Sequence, residues 1–420
     1  MNKIIFSIIM VAIILLIIII LSKKYKLNKN QQIIFWILVL FWTSVTIIRE
    51  YRKIYIAGSI ATGGLGLGII VASSITSAYG LVSVFIRMPV FFLTDILKKR
   101  KIFIQIALGL IIITGIFVVI KPSITTLYLS SIAMGVCASM LAIFNLIFSE
   151  TFKESEAYVS ASILSVAPLL SEFIAAPIQY LGTYKDVKNY SLLWIVSIAI
   201  AIITLMLSFK IEDSSNKETF SLSKVKFVIS NKKFLFACFV GVMISFVKFS
   251  TSVNNMVYYN KTYLDMPPLL LAYLGPLFSG PQLIASVLIG TYFNKKFGIE
   301  KTLIFALSFL VAFNLTMLFT KNYIVAFIAY SLNGFGYGAT YISLLSMAMA
   351  FFKKEYRNIS MGIYQGFFAF GIFFGDRIYV LVSGVLNDKP RMIFLILLTI
   401  LIFSMLISIF SLLFRKKMLK

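Results

Sequence analysis

Histidine is absent from the 420-residue chain. That removes imidazole catalysis, histidine metal ligation and histidine proton relays at once. Cysteine is nearly absent. Cys137 and Cys238 both lie inside apolar runs, where they read as small core residues and not as a disulfide or metal framework. No Gly-x-x-x-x-Gly-Lys-Ser/Thr phosphate loop, Gly-x-Ser-x-Gly elbow or zinc pattern is present, so neither a cofactor nor a catalytic constellation is expected. Acidic residues are few, 15 against 39 Lys plus Arg, for a formal charge of +24. Strand-length alternation is also missing.

What fills the chain is apolar. Hydrophobic residues make up 60% of it, with a mean hydropathy of +0.97, too little polarity for a water-facing surface of this size. Runs of about 20 apolar residues recur, each long enough to cross a hydrocarbon core of about 30 Å as a helix. The expectation is an all-α, polytopic membrane protein. Basic residues crowd alternate connectors: Lys23–Lys29, Lys98–Lys101, Lys210–Lys233, Lys295–Lys301, Lys353–Arg357 and Arg415–Lys420. That alternation puts the dense connectors, and the C-terminus, on the cytoplasmic side of a cell membrane. It accounts for the charge without nucleic acid. The Ile, Lys, Asn and Phe bias suggests a bacterial source.

Helices are expected at 33–60, 68–94, 102–120, 124–149, 158–180 and 190–209, then at 234–259, 268–293, 301–319, 323–350, 358–384 and 392–414. The domains follow: an extra N-terminal transmembrane helix and basic linker at 1–30, a six-helix bundle at 31–209, a cytoplasmic linker at 210–233, and a second six-helix bundle with a basic tail at 234–420. Residues 3–22 are the thirteenth span. A fourteen-helix alternative divides 32–95 into three spans and turns Arg49–Lys53 into a cytoplasmic loop.

At the end of the second expected bundle helix stands Arg87-Met88-Pro89-Val90-Phe91-Phe92-Leu93-Thr94-Asp95, followed by Lys98-Lys99-Arg100-Lys101. This loop resembles the signature of the major facilitator superfamily, Gly-x-x-x-Asp-Arg-x-Gly-Arg-Lys/Arg. Phe91 and Lys98 replace its two glycines, while Asp95 and the basic tail are kept. A second, degenerate copy runs from Gly290 to Lys301, with Asn294 near the Asp position and one extra residue before Gly298. The resemblance covers nearly everything after Lys29. It implies two six-helix bundles that work as a secondary active transporter by alternating access, with no ATP motif and so driven by gradients. It also implies that Asp95, with Arg87, Lys98, Lys99 and Arg100, latches the cytoplasmic side.

Forty-six residues separate Arg49 from Asp95, and 46 separate Lys248 from Asn294. The first helix of each half thus carries a cation at a matching place. Lys248 lies about 21 Å into its helix, where a charge marks a functional site by default. Paired cations on these helices resemble the organophosphate:phosphate antiporters of the superfamily. Ile47-Ile48-Arg49-Glu50-Tyr51-Arg52-Lys53 is similar to their first-helix Tyr-x-x-Arg-Lys-Asn-Phe, and Lys248-Phe249-Ser250 with Tyr258 to their Arg-Tyr-Gly…Tyr. The seventh-helix cation here is Lys in place of Arg, and their fifth-helix histidine is missing.

The candidate substrate residues are therefore Arg49 and Lys248, with Arg52, Asp376, Tyr337 and Tyr341. Asp376 and Arg377 are neighbours about 100° apart on a helix, so at most one lines a cavity; Asp376 is favoured. Glu172, mid-helix, and Glu50 are candidate coupling carboxylates, or static partners of nearby cations. The expected cargo is an anionic or phosphorylated small molecule. A neutral or cationic solute (a sugar, nucleoside or drug) is the alternative, and a non-transporting membrane scaffold the second alternative. The expected partners are that solute and the lipid bilayer, with the protein a monomer.

Overall fold

A computed structural model describes residues 3–24, 27–97, 99–149, 151–152, 157–183, 189–212, 222–385 and 389–418. Among them there is helix and no strand. Among the described residues, ten helices are long and apolar enough to cross a membrane.

The first half begins with α1 (Lys3–Lys24) and α2 (Lys29–Arg49). Asn28 and Gln31 start α2 as a capping box: the Gln31 amide donates to Asn28 Oδ1, and the Asn28 amide to Gln31 Oε1, each at 2.9 Å. The helix stops at Glu50–Tyr51 and resumes as α3 (Arg52–Ala57). A tight return follows, in which Leu65 N donates to Tyr55 O and Leu67 N to Ile56 O. Its Gly63, Gly66 and Gly68 take positive φ, the backbone region only glycine enters without strain. Then come α4 (Gly68–Leu97), α5 (Arg100–Ile120), α6 (Ile124–Ser149), α7 (Ala157–Gly182) and α8 (Tyr190–Ser208). Residues 29–97 thus form two long rods, the first with a joint, and not three spans.

The second half contains α9 (Leu222–Ile229), α10 (Lys232–Ser250), α11 (Val253–Leu264), α12 (Pro268–Ala272) and α13 (Leu274–Leu288). A π-helical turn, Ile289–Phe293, leads into α14 (Asn294–Phe297). Four long helices complete it: α15 (Ile299–Phe319), α16 (Tyr323–Ala350), α17 (Lys354–Val385) and α18 (Met392–Met418).

The chain packs as two units, 1–220 with Pro267–Pro276, and 221–266 with 277–420. In the first, α2 packs on α7 and α8, α4 and α5 on α6, and α1 on α7. In the second, α10 packs on α17, and α15 on α16 and α18. Small residues allow these approaches. Gly334 on α16 rests directly on the Phe278 carbonyl of α13, so that a Cβ there would collide with backbone. Large side chains such as Ile106, Ile203, Phe319 and Leu406 point outward, as a lipid-facing surface requires.

Candidate functional site

The two matching cations end two matching helices. Arg49 is the last residue of α2, and Lys248 lies in the last turn of α10. Each helix then breaks, at Glu50–Tyr51 and at Thr251–Ser252. A cation at a helix C-terminus is favoured by the negative end of the dipole. Each break also frees backbone carbonyls, which need donors when buried. In the first unit Gln179 Nε2 reaches Thr46 O (3.2 Å) and Ile47 O (3.4 Å). In the second, Asn255 Nδ2 donates to Phe249 O (2.7 Å) and Ser250 O (3.2 Å), and Tyr330 Oη donates to Thr251 O (2.8 Å).

The surroundings of the two cations differ. Arg49 Nη2 pairs with Glu172 Oε1 at 2.9 Å, and Tyr79 of α4 lies beside the guanidinium. Glu172 sits between Pro168 and Pro177 on α7. One turn away, the hydroxyls of Thr46 and Ser171 meet at 3.2 Å and hold α2 to α7. Glu50 Oε2 accepts from Gln179 Nε2 at 2.9 Å. Glu50 Oε1 and Glu172 Oε2 are buried and receive no hydrogen bond. Both carboxyl groups border Gly275: a Cβ built there would stand 2.7 Å from Glu172 Oε2, and 3.2 and 3.3 Å from the Glu50 oxygens.

Lys248 instead meets rings. Its Nζ lies 4.1 Å from the centre of Phe249, 5.3 Å from Tyr337 and 5.7 Å from Phe278, within cation–π range. Because Phe278 and Tyr337 belong to α13 and α16, the ammonium points into its unit and does not run outward along α10. Phe278 and Tyr337 stack at 5.9 Å, and Tyr337, Tyr341 and Phe368 continue the wall. Gln365 Nε2 donates to Tyr341 Oη. Among the described residues no three His, Cys, Asp or Glu side chains gather to hold a metal.

The Major Facilitator Superfamily sequence model matches residues 4–376. The chain belongs to the major facilitator superfamily. No curated protein matches it by sequence. Solved structures share its fold at low identity. A POT family transporter in complex with a thioalcohol-conjugated peptide has a TM-score of 0.76 at 14% identity, with 93% of this chain and 97% of that one covered. The nucleoside transporter NupG gives 0.69 at 12%, covering 91% and 98%. A bacterial homologue of the human lysosomal transporter Spinster, inward-facing and unoccupied, gives 0.65 at 11%, covering 91% and 97%. This facilitator is thus a multi-pass membrane protein of the secondary-transporter kind, and not an enzyme.

The remaining expected residues fall in several places in the facilitator fold. Arg52 is buried; its Nη1 donates to Ser131 Oγ on α6 at 2.8 Å, and its guanidinium covers the Tyr79 ring at 5.6 Å. Asp376 is half-buried near Tyr379, whereas Arg377 is exposed and lies over Phe373. Of the latch set, Lys99 is exposed and Arg100 buried at the start of α5. The side chains of Arg87 and Asp95, and all of Lys98, lie outside the described residues. Sequence reasoning missed Gln179, Phe278 and Gly275. Gln179 had a signal, standing seven residues from Glu172 and so on the same face of α7. Phe278 and Gly275 had none beyond their place in an apolar run.

Proposed function

We propose that this facilitator carries a small anionic solute, a phosphorylated metabolite being the leading candidate, by alternating access, with Lys248 as the residue that holds the anion. The orientation of Lys248 carries the reading. A half-buried ammonium, set at a helix break and turned towards aromatic rings of its own unit, presents a charge to a solute without spending it on lipid. Discontinuous helices are a recurring place for transporter substrates. Tyr337 and Tyr341 then flank the solute, Asp376 and Arg52 shape the polar surroundings, and Asp95 with Arg87, Lys98, Lys99 and Arg100 latches the cytoplasmic side. The C-terminus is cytoplasmic and the working unit a monomer.

A neutral solute is the second reading. It is favoured by the Arg49–Glu172 pair, which already neutralises the first of the two cations. Uptake into liposomes over a panel of phosphorylated and neutral metabolites separates the two. A hydrogen bond to a charged group contributes about 1.5–3 kcal/mol, so Lys248→Ala lowers uptake of the accepted anion by roughly 10- to 100-fold. Lys248→Arg keeps part of it. Undiminished anion uptake by Lys248→Ala rejects the anionic reading.

A further inference from the structure

We infer that Glu50 and Glu172 hold one proton between them, and that this shared proton is the coupling ion of the transport cycle. The inference rests on the transport reading, though not on the nature of the cargo. Three observations converge. Both carboxyl groups are buried, with Glu50 1% and Glu172 7% exposed. They converge on one point, since a Cβ at Gly275 would stand 2.7 Å from Glu172 Oε2 and 3.2 Å from Glu50 Oε1. Each has one oxygen served by a donor, Gln179 Nε2 for Glu50 and Arg49 Nη2 for Glu172, and one oxygen that no donor reaches. A single proton placed between the two unserved oxygens satisfies both. It also makes the set Arg49, Glu50 and Glu172 neutral. Two like charges this close in a dry site do not both stay ionised.

The other groups on the packed elements leave that arithmetic in place. On α3, Arg52 turns to Ser131 and Tyr79, and Lys53 is fully buried with partners of its own. Tyr51 in the joint, Tyr79 on α4, Tyr180 on α7, Tyr190 on α8 and Tyr273 beside Gly275 are phenols. Lys3 of α1 lies over the Tyr180 ring, and Cys137 on α6 donates to Ala107 O of α5.

Gly275 gives the pair its control. Its bare Cα caps both carboxyl groups, and no other residue type fits there without displacing them. While the 267–276 segment is seated, water is kept from the shared proton. When that segment leaves, water enters, the protonated carboxyl gives its proton to a water molecule, and both carboxylates then stand ionised beside Arg49.

Infrared spectroscopy of the protein in lipid bilayers tests this without a cargo. At neutral pH the exposed carboxylates are ionised. The expected spectrum shows a protonated-carboxyl band worth one group per chain, and the band falls about tenfold per pH unit at the alkaline end. Glu50→Gln leaves Glu172 ionised on Arg49, and Glu172→Gln leaves Glu50 ionised beside it, so each variant abolishes the band. A wild-type spectrum with no such band overturns the inference whether or not the variants fold. So does a band that survives in either variant. If the band behaves as expected while Lys248→Ala transports its anion normally, the cargo reading alone fails. If the band is absent while Lys248→Ala is inactive, the shared proton alone fails.

Discussion

The two halves place a cation at matching points of matching helices, with different neighbours around each. In the first unit Arg49 is gripped by a carboxylate and backed by a second one. In the second, three aromatic rings approach Lys248. Both halves have the joint, served by a buried amide from a different place in each, Gln179 on α7 and Asn255 on α11. A guanidinium pairs well with a carboxylate because its planar fork matches two oxygens. An ammonium is a point charge with rotating donors, suited to a partner that comes and goes. On the reading proposed above, one half balances charge and the other meets cargo.

The comparison breaks most visibly at Glu172. Glu172→Leu leaves Arg49 without its partner, and breaking a buried pair costs about 3–5 kcal/mol. With the Arg49 side chain 24% exposed and Glu50 still nearby, the lower end of that range, about 3, is expected. Thermal unfolding in detergent measures it. Adding Arg49→Met recovers most of the loss, and a double variant no more stable than Glu172→Leu alone contradicts the pairing. The second unit is tested at Gly334→Ala, whose methyl group meets the Phe278 backbone. Overpacking of this kind costs about 1–3 kcal/mol. It also shifts Phe278 against Lys248, so uptake should fall along with stability. The smallest effect belongs to α1. Phe6 meets Tyr180 edge-on at 6.1 Å, and Phe6→Ala should cost about 1 kcal/mol. Deleting residues 2–22 should leave the turnover rate of purified protein within a factor of two (about 0.4 kcal/mol), and a larger change would give α1 a part in the cycle.

Much of this was legible in the chain. Apolar run length and basic connectors placed the long helices within a few residues, because a bilayer dictates both. The matched spacing of Arg49 and Lys248 led to two equivalent joints. The joints themselves were not legible: residues 33–60 and 234–259 read as single helices, and neither Glu50–Tyr51 nor Thr251–Ser252 contains the proline or glycine that usually announces a stop. Nor was the partner of Arg49. Glu172 is 123 residues away, and pattern along a helix says which face a residue occupies without saying which helix comes to meet it. The aromatic wall was half legible, since Tyr337 and Tyr341 stand four apart on one face, whereas Phe278 comes from another helix.

The wide turn at Ile289–Phe293 bears on how the second signature lost its form. A π-helical turn holds one more residue than an α-turn and is seldom kept without reason. It immediately precedes Asn294, whose Oδ1 lies 3.4 Å from Ser343 Oγ on α16. The copy begins inside this turn, at Gly290, and its extra residue falls after Asn294, before Gly298. An inserted residue need not be expelled from a helix as a loop; it can be stored as a local widening, and the residues beyond then keep their facing. Here the widening lies ahead of Asn294 and sets which way that residue faces. Removing one residue from the turn would rotate Asn294 by about 100° and carry its amide away from α16, though the chain would still cross the bilayer.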